Sequence, residues 1–579
     1  EDGGVVGSKI ALFGCNVNKA LEILGTVEIG EGLPHPLIDG EWVKTSPRAN
    51  AAYLITSFTE ENVENAIALT QKAGLKHLYH YGKTFDNWGH FELNKAAFPN
   101  GLEGLKKCVN KAEVKGIKIG THCLSNFITT NDPYVTPIPD PRLAKVGSSQ
   151  LTRALGKDDT EIEIASPIFF NQMENNTLKT VVLGKELIRY GSVSEASPWR
   201  LLDCQRAAFG TQASAHNSGV KISKLLDHGY KVFLTDADLT IEMSETLAEL
   251  YNKTGLRQIS FDGLEGNRST GLGTYGESLM PYTWYKALAP ELKDHLIIDA
   301  SRTTHFFWHI YSRMNWGEPW YDGFRESQTQ YRFNNQAYFQ RNFMPGMLGW
   351  FKMTAETSLE DIEWMLTKSA GYEAGYALVA DPESIAQNGN SDIIFEKVGD
   401  WEKLRLSNVF TEAQKSAMRD NDKEFTLQRI DNQSWSWQAV HSHIFTHQKK
   451  VRQPGEPLNS TFSFVNPASE QPLQFLLSAQ KSALSEISLE INNYKKIELP
   501  LVLEKGQKLQ YSGGEEVWVL DAQWNLLKSL KISIEDFILK TGENSLDVDC
   551  KFDSSEIKAA LKLEIKTLGK RERIVLPKT

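Results

Sequence analysis

The chain has 579 residues, of which 41% are hydrophobic and 23% charged, and its formal net charge at pH 7 is −10. This is the composition of a globular protein, and the acidic balance excludes a general electrostatic attraction to nucleic acid or to an anionic membrane surface. At roughly 150 residues per domain the length predicts two to four domains, and barrels that run longer as single units favour the lower number.

From about residue 50 the sequence alternates between short apolar runs and amphipathic segments. The first apolar run is followed by TEENVENAIALTQKAG, which has Thr59 as a candidate N-cap and Gly74 at its end. This alternation indicates parallel strands joined by crossover helices, which is an α/β architecture. The predicted strands are, in chain order, AAYLITSF, LKHLYHYG, IKIGTHCLSN, LRQISFDG, HLIIDASR, HIYSRMNW, MLGWFKM and YALVAD.

Eight such strands predict a (β/α)8 TIM barrel, a fold in which the chemistry lies at the C-terminal ends of the strands. Between the third and fourth strands the sequence alternates with period two, as in EIEIASPIFF, which predicts a β-rich insertion. After the barrel, short apolar runs separated by turns predict an antiparallel β-sandwich. The predicted domains are an N-terminal segment packing on the barrel (1–48), the barrel (49–400, with the insertion at about 131–235), a helical connection (401–450) and the C-terminal sandwich (451–579).

Polar side chains follow the C-terminal ends of several predicted barrel strands. A single strand-end aspartate such as Asp262 is more often structural than catalytic. Carboxylates at successive strand ends, beside His, Arg and Trp, instead favour a catalytic role. Polar groups in a barrel mouth are costly to desolvate unless they are paired or used. Apart from Asp262 and the acid candidates below, the candidate substrate-binding residues are His80, Asp86, Trp88, His122, Glu265, Asp299, Arg302, His305, Arg313 and Trp316.

Two carboxylates in a Trp-lined cleft are typical of glycosidic bond cleavage. One attacks the anomeric carbon or holds the water that does, and the other protonates the leaving oxygen. Glu318 is the predicted general acid because Trp316 and Trp320 would desolvate its carboxyl and raise the pKa, with Asp322 as second candidate. Should neither lie within reach of Asp262, Asp299 or Glu265 would take the role.

The run up to Cys123 resembles the start of the melibiase-like barrel of retaining glycoside hydrolases, the α-galactosidases and α-N-acetylgalactosaminidases. The matching pieces are Trp88 in an acidic and aromatic loop, FPNGLEGL at 98–105 and KGIKIG at 115–120. The resemblance covers about 75–380 and implies that Asp262, at the end of the fourth strand, is the nucleophile. The sequence departs from the family after the second strand, where HYGKTFD replaces a pair of acidic residues.

The expected function is hydrolysis of an α-linked sugar, galactose or N-acetylgalactosamine-like, from an oligo- or polysaccharide that is neutral or acidic. Arg302, His305 and Arg313 are expected to meet an anion or an N-acetyl group on that substrate. The alternatives are a non-catalytic glycan-binding protein on a degenerate barrel and a polysaccharide lyase acting on a uronate. An extracytoplasmic location (periplasmic, cell-surface or secreted) is expected from this function alone, since EDGGVVGSKI has no signal-peptide pattern.

No cofactor, metal, nucleic-acid partner or membrane span is expected. His305 and His309 have the i, i+4 spacing of helical metal ligands, but no Glu follows the first histidine as in HExxH. The five cysteines are scattered, without zinc-site or disulfide spacing. The glycine-rich run GNRSTGLGTYGE lacks the GxxxxGK[ST] pattern of a phosphate loop, and no apolar run approaches the roughly 20 residues of a membrane helix.

Overall fold

The computed structural model describes residues 9–80, 82–172, 176–304, 310–315, 317–318, 323–451, 453–531, 537–553 and 558–577. Within this part of the chain, none of the helices combines the length and the apolar character that crossing a bilayer requires.

Eight strands form one sheet; seven lie within their predicted runs, and the last, Gly375–Val379, begins one residue before its run YALVAD. In spatial order they are β6, β5, β4, β3, β2, β1, β8 and β7, so that the two ends of the nearly closed sheet are consecutive in the chain. This is the strand order of a (β/α)8 barrel, and it confirms the predicted fold class. The strands are β1 Tyr53–Thr56, β2 His77–His80, β3 Lys118–Leu124, β4 Gln258–Asp262, β5 Ile297–Ala300, β6 Arg313–Met314, β7 Met347–Lys352 and β8 Gly375–Val379.

The strands from β1 to β6 pair in parallel, with Tyr53 opposite His77 and Gln258 opposite both Gly120 and Ile297. Their apolar residues are buried because helices cover the outside of the sheet. The helices are α1 Ala20–Glu31, α2 Val63–Lys72, α3 Gly101–Val114, α4 Ala237–Thr254, α5 Gly273–Ala287, α6 Thr329–Arg341, α7 Leu359–Tyr372, α8 Pro382–Gln387, α9 Ser391–Leu406 and α10 Glu412–Arg419.

The helix α4 leads into β4 and has clear end signals. The side chain of Asp236 caps its N-terminus by accepting a hydrogen bond from the Leu239 amide at 3.0 Å, and Gly255 closes its C-terminus at φ 79°. Its buried face includes Leu239, Met243 and Leu247. The helix ends at Thr254, four residues before Gln258, where β4 begins.

The chain divides into two compact units. The first comprises Glu1–Ala68, Lys76–Trp316 and Ala337–Gly349, and the second comprises Leu69–Leu75, Gly317–Gln336 and Trp350–Thr579. In the first unit, the segment before the barrel contributes Ile38, Trp42 and Val43 to a buried cluster that also contains Ile297 of β5. This segment therefore packs directly on the barrel wall.

The insertion between β3 and α4, which belongs to the first unit, is made of short antiparallel strands with a core of its own. That core includes Leu151, Ile164, Val181, Ile188 and Leu201. Val181, Ile188 and Leu201 lie on strands of the insertion, whose successive side chains point to opposite faces. The strands are Lys145–Gln150, Ile162–Glu163, Thr180–Leu183, Glu186–Arg189, Ser192–Val193, Arg200–Leu202, Lys221–Leu225, Asp227–His228 and Val232–Phe233.

In the second unit, two antiparallel sheets share one apolar core, as predicted for a β-sandwich. Phe475, Leu477 and Leu563 come from one sheet, and Leu489 and Val548 come from the other. The longer sheet contains Glu424–Asp431, Ser434–Gln448, Gln474–Gln480, Lys508–Tyr511, Glu516–Leu520, Leu526–Lys531, Ala560–Leu568 and Glu572–Val575, and the shorter contains Ser460–Asn466, Leu484–Ile491, Lys495–Leu499 and Gly542–Phe552. A further small pair joins Gln471–Pro472 to Ile538–Leu539.

The stretch 401–450, predicted as a helical connection, is helical only as far as Arg419. The two strands that follow, Glu424–Asp431 and Ser434–Gln448, pair antiparallel and begin the longer sheet. Phe425 and Leu427 on the first strand are buried, and Trp435 and Trp437 are buried on the second. Their period-two spacing is a strand pattern, and the charged helical sequence just before it masked the change.

Candidate functional site

Asp262 is the last residue of β4, at the C-terminal end of the barrel strands. The four residues before it, Gln258–Phe261, are buried, whereas Asp262 itself is partly exposed. Its backbone carbonyl accepts two hydrogen bonds from Ser125, one from the amide at 2.9 Å and one from Oγ at 2.6 Å. Its Oδ1 accepts a hydrogen bond from the Gly263 amide at 2.8 Å. The backbone of Asp262 is therefore fixed by its pairing with β3 and by Ser125, the residue that follows β3.

The glycines after Asp262 let the chain turn over the buried ring of Phe127. Gly263 has φ 66°, in the left-handed region that favours glycine. A Cβ on Gly263 would lie 2.8 Å from Phe127 Cζ, and a Cβ on Gly266 would lie 2.4 Å from Phe127 Cε1. The sequence DGLEG thus ends the strand with a tight turn that leaves the aspartate at the strand end.

His122 lies on β3, beside β4, with Ser260 as its register partner. Burial lowers the pKa of the His122 imidazole, and the carboxylates of Asp262 and Asp299 oppose this shift without overcoming it. His122 is therefore neutral at neutral pH. It adds a polar group near Asp262 without adding a positive charge.

Asp299 and Arg313, expected to bind substrate, are both completely buried and bind each other. Asp299 Oδ1 accepts a hydrogen bond from Arg313 Nε at 2.5 Å, and Asp299 Oδ2 accepts one from Gln258 Nε2 at 2.8 Å. The Arg313 guanidinium also donates to the carbonyl of Ala51 and lies 4.5 Å from the centre of the Tyr53 ring. The structure assigns these two residues to the core of the barrel because a buried charge needs a partner.

His80, the last residue of β2, also belongs to the core. Its Nδ1 lies 2.9 Å from Thr84 Oγ1 and its Nε2 lies 2.9 Å from the Phe58 carbonyl, so both ring nitrogens have protein partners. The ring centre lies 4.7 Å from that of Phe58 and 5.3 Å from that of Phe98. Burial lowers the pKa of His80 to about 4. A neutral histidine with both nitrogens occupied has a structural role here.

Asp86 and Trp88 lie in the loop after β2. The Asp86 carboxylate accepts hydrogen bonds from Asn94 Nδ2 at 2.6 Å and from the Lys95 amide at 3.1 Å, which closes the loop. Trp88 is partly buried and packs on the apolar cluster that contains Phe127. Trp88 and the turn after Asp262 therefore both pack against the cluster that contains Phe127.

The remaining candidates are dispersed. Glu265 is exposed in the 3-10 turn Leu264–Thr270 that follows β4, and Arg302 forms an ion pair with Glu277. Glu318 belongs to the second unit, where its backbone carbonyl accepts a hydrogen bond from Gln328 Nε2 at 2.8 Å. His305, Trp316 and Asp322 lie outside the described residues.

Sequence reasoning missed the groups that support Asp262 and the partner of Arg302. Ser125 and Phe127 follow β3 directly, and their nearness in sequence to a strand end was the available signal. Arg268 and Glu277 were read only as parts of a glycine-rich run that fails as a phosphate loop. Over the described residues, no cluster of three or more His, Cys, Asp or Glu has the arrangement of a metal site.

No protein-family model matches this sequence, and no curated protein matches it. Among solved structures, a GH36 α-galactosidase variant from Geobacillus stearothermophilus in complex with raffinose is 10% identical with a TM-score of 0.36, covering 88% of this chain and 57% of that chain. A putative α-N-acetylgalactosaminidase from Bacillus halodurans C-125 is 12% identical with a TM-score of 0.32, and the match covers 86% of this chain and 97% of that chain. An α-amylase from Geobacillus thermoleovorans complexed with acarbose is 8% identical with a TM-score of 0.35, and the match covers 86% of this chain and 98% of that chain. This chain spans little more than half the length of the α-galactosidase.

Proposed function

We propose that this chain is a retaining glycoside hydrolase that cleaves an α-linked sugar, galactose or N-acetylgalactosamine-like, with Asp262 as its nucleophile. The observation that carries the proposal is the position of Asp262: a partly exposed carboxylate on an anchored backbone at the C-terminal end of barrel strand β4. Catalytic groups of this fold come from the ends of the strands at this face.

In the proposed mechanism, an Asp262 oxygen attacks the anomeric carbon while a general acid protonates the leaving oxygen. The resulting glycosyl ester is hydrolysed by a water that the same acid, now a base, deprotonates. Asp262 must be ionised for the first step. From the sequence, Glu318 is the proposed acid and Asp322 is the second candidate.

The first test removes the nucleophile. Asp262→Asn should lower the turnover of a 4-nitrophenyl α-galactoside by orders of magnitude and leave the thermal unfolding midpoint unchanged, because the amide has nearly the same volume and cannot attack. Asp158→Asn, which changes an exposed aspartate in the insertion, is the matched control and should keep full activity.

Azide rescue then identifies the role of the lost carboxylate. In Asp262→Gly, azide should enter the vacated space and attack the anomeric carbon directly, giving a β-glycosyl azide from an α-glycoside. A rescued product of α configuration, or more than about a tenth of wild-type turnover in Asp262→Asn, would refute the assignment.

The two alternative functions give different products. Hydrolysis adds water to the glycan, elimination by a lyase leaves an unsaturated sugar, and a binding protein leaves the glycan intact, so mass analysis separates the three. A lyase would use His or Tyr with Arg against a uronate. Arg313 is buried against Asp299 and His80 has both ring nitrogens occupied, so neither of these two residues is available to a lyase.

A further inference from the structure

Two arginines that follow neighbouring barrel strands share one buried carboxylate. Arg268 lies in the 3-10 turn after β4, Arg302 lies two residues after β5, and Glu277 lies on α5. Arg268 Nε is 2.6 Å from Glu277 Oε1, and Arg302 Nε is 3.5 Å from Glu277 Oε2. Each carboxylate oxygen therefore faces one guanidinium group.

The charges and exposures in this trio are unequal. The side chain of Glu277 is 3% exposed, whereas those of Arg268 and Arg302 are 53% and 39% exposed. One guanidinium would neutralise the buried carboxylate, so the second leaves the trio with one net positive charge at the surface. A guanidinium has five N–H donors in a planar fork, and Glu277 is approached through Nε of each arginine.

Helix α5, which carries Glu277, contacts the segment that follows β5. The neighbouring Ser278 Oγ lies 2.6 Å from Thr304 Oγ1, which ties α5 to the segment after β5. The buried Tyr311 phenol lies close by, and its pKa is raised by burial and by the Glu277 charge. The side chains of Arg268 and Arg302 are themselves partly exposed.

The trio lies at the same end of the barrel as Asp262. The C-terminal ends of parallel strands meet at one face of the barrel, and Arg268 and Arg302 follow the ends of β4 and β5. Arg268 is also in the turn that starts just after Asp262. From the sequence, Arg302, His305 and Arg313 were expected to meet an anion. Arg313 is inside the barrel and His305 is outside the described residues, while Arg268 supplies a second exposed guanidinium.

We propose that Arg268 and Arg302, oriented by Glu277, form an anion subsite beside Asp262 that receives a carboxylate or a sulfate ester of the glycan. This inference rests on the proposed function of Asp262 and names the class of its substrate, an acidic glycan. Two guanidinium groups that share one carboxylate are suited to binding an oxyanion, because each presents further N–H donors. The carboxylate of a uronic acid and a sulfate ester share this chemistry.

Direct binding tests the subsite without any catalysis. Inorganic sulfate, titrated by calorimetry at constant ionic strength against chloride, should bind saturably to the wild type and to Asp262→Asn. Arg268→Gln and Arg302→Gln should each weaken sulfate binding by about tenfold or more, because each removes charge-assisted hydrogen bonds. Arg153→Gln, which removes an exposed arginine of the insertion, should leave it unchanged. Absence of saturable binding, or equal binding by all variants, would overturn the subsite.

Substrate discrimination identifies the source of the anion. For wild-type enzyme, kcat/KM is compared between 4-nitrophenyl α-galactoside, the corresponding α-galacturonide and the 6-sulfated galactoside. Arg302→Gln should lower the ratio of kcat/KM for the preferred charged substrate to kcat/KM for the neutral galactoside by about tenfold. Arg302→Lys keeps the positive charge but loses the planar fork of donors. Its ratio should therefore lie between that of the wild type and that of Arg302→Gln. Equal losses on all three substrates would contradict the inference.

The two proposals fail in different ways. If Asp262 is not a nucleophile, none of the glycosides is turned over through it, yet sulfate binding still depends on Arg268 and Arg302. If the anion subsite is absent, the neutral galactoside is cleaved and neither arginine affects sulfate binding.

Discussion

Asp299 and Arg313 form an ion pair inside the barrel in which neither side chain has any exposed surface. Arg313 also donates to the carbonyl of Ala51, just before β1, so the pair links β5 and β6 to the start of the barrel. The cost of burying both charges is offset because Gln258 also donates a hydrogen bond to Asp299 and Arg313 also donates to the backbone. Charged residues near strand ends are here part of the barrel core.

Breaking this pair should unfold the barrel before it affects binding. Asp299→Ala leaves the Arg313 guanidinium buried without its carboxylate and should cost about 3–5 kcal/mol of unfolding free energy. Urea denaturation followed by tryptophan fluorescence measures it. Asp86→Ala, in an exposed loop, is the comparison and should cost about 1 kcal/mol. A stable Asp299→Ala protein with weakened substrate binding would show that Asp299 contacts substrate after all.

His80 should make the protein less stable in acid. Burial lowers the pKa of His80 to about 4, and the Phe58 carbonyl opposes this shift only in part. Below the ordinary histidine pKa of about 6.5 the unfolded chain takes up a proton that folded His80 refuses. The unfolding free energy should therefore fall as the pH drops from about 6.5 to about 4, by up to about 1.4 kcal/mol per pH unit for this histidine.

The variant His80→Gln isolates that contribution. It should flatten the acid slope in urea titrations at a series of pH values without abolishing it. The buried His77, whose pKa burial lowers to about 3, continues to act in the same direction. An unchanged slope in His80→Gln would mean that the folded protein protonates His80 normally.

Gly266 should tolerate no side chain. In Gly266→Ala the new Cβ would lie 2.4 Å from Phe127 Cε1 and 2.9 Å from Asn126 Oδ1, so the turn or the ring must move, at a cost of about 1–3 kcal/mol. Gly229→Ala is the matched control, because nothing lies within 4 Å of its Cβ position. Adding Phe127→Leu should recover part of the loss in a double-mutant cycle measured by thermal unfolding. Simple additivity of the two losses would argue against the clash.

Glu318→Gln should show the leaving-group dependence of a lost general acid. Glycosides with a good leaving group, such as 2,4-dinitrophenol, need no protonation and should react at nearly wild-type rates. Those with alkyl leaving groups should slow by about 10²–10⁴-fold. The measurement is kcat/KM across a series of leaving groups. The same loss for every member would exclude Glu318 as the acid, and the same series applied to Asp322→Asn then tests the second candidate.

The strands of the barrel were predictable because each is a short apolar run bounded by turn residues. Gln258–Asp262, with four buried residues before its aspartate, is typical. Local sequence also predicted the sandwich, through alternation of buried and exposed positions. It failed over Glu424–Gln448, where a charged helix passes into a strand pair, because a few residues of local pattern do not mark the point where one period replaces the other.

The sequence by itself determined the barrel, the sandwich and the place of Asp262 at the end of a strand followed by glycines. Only the tertiary structure decided what each strand-end side chain does. His80 and Asp262 both end a barrel strand, yet His80 is enclosed by Phe58 and Phe98 and Asp262 is partly exposed. The physical reason is that local sequence sets the backbone conformation, whereas burial and partners come from distant contacts. Arg313 is paired inside the barrel and also reaches the carbonyl of a residue 262 positions away, and two arginines on separate loops meet one glutamate.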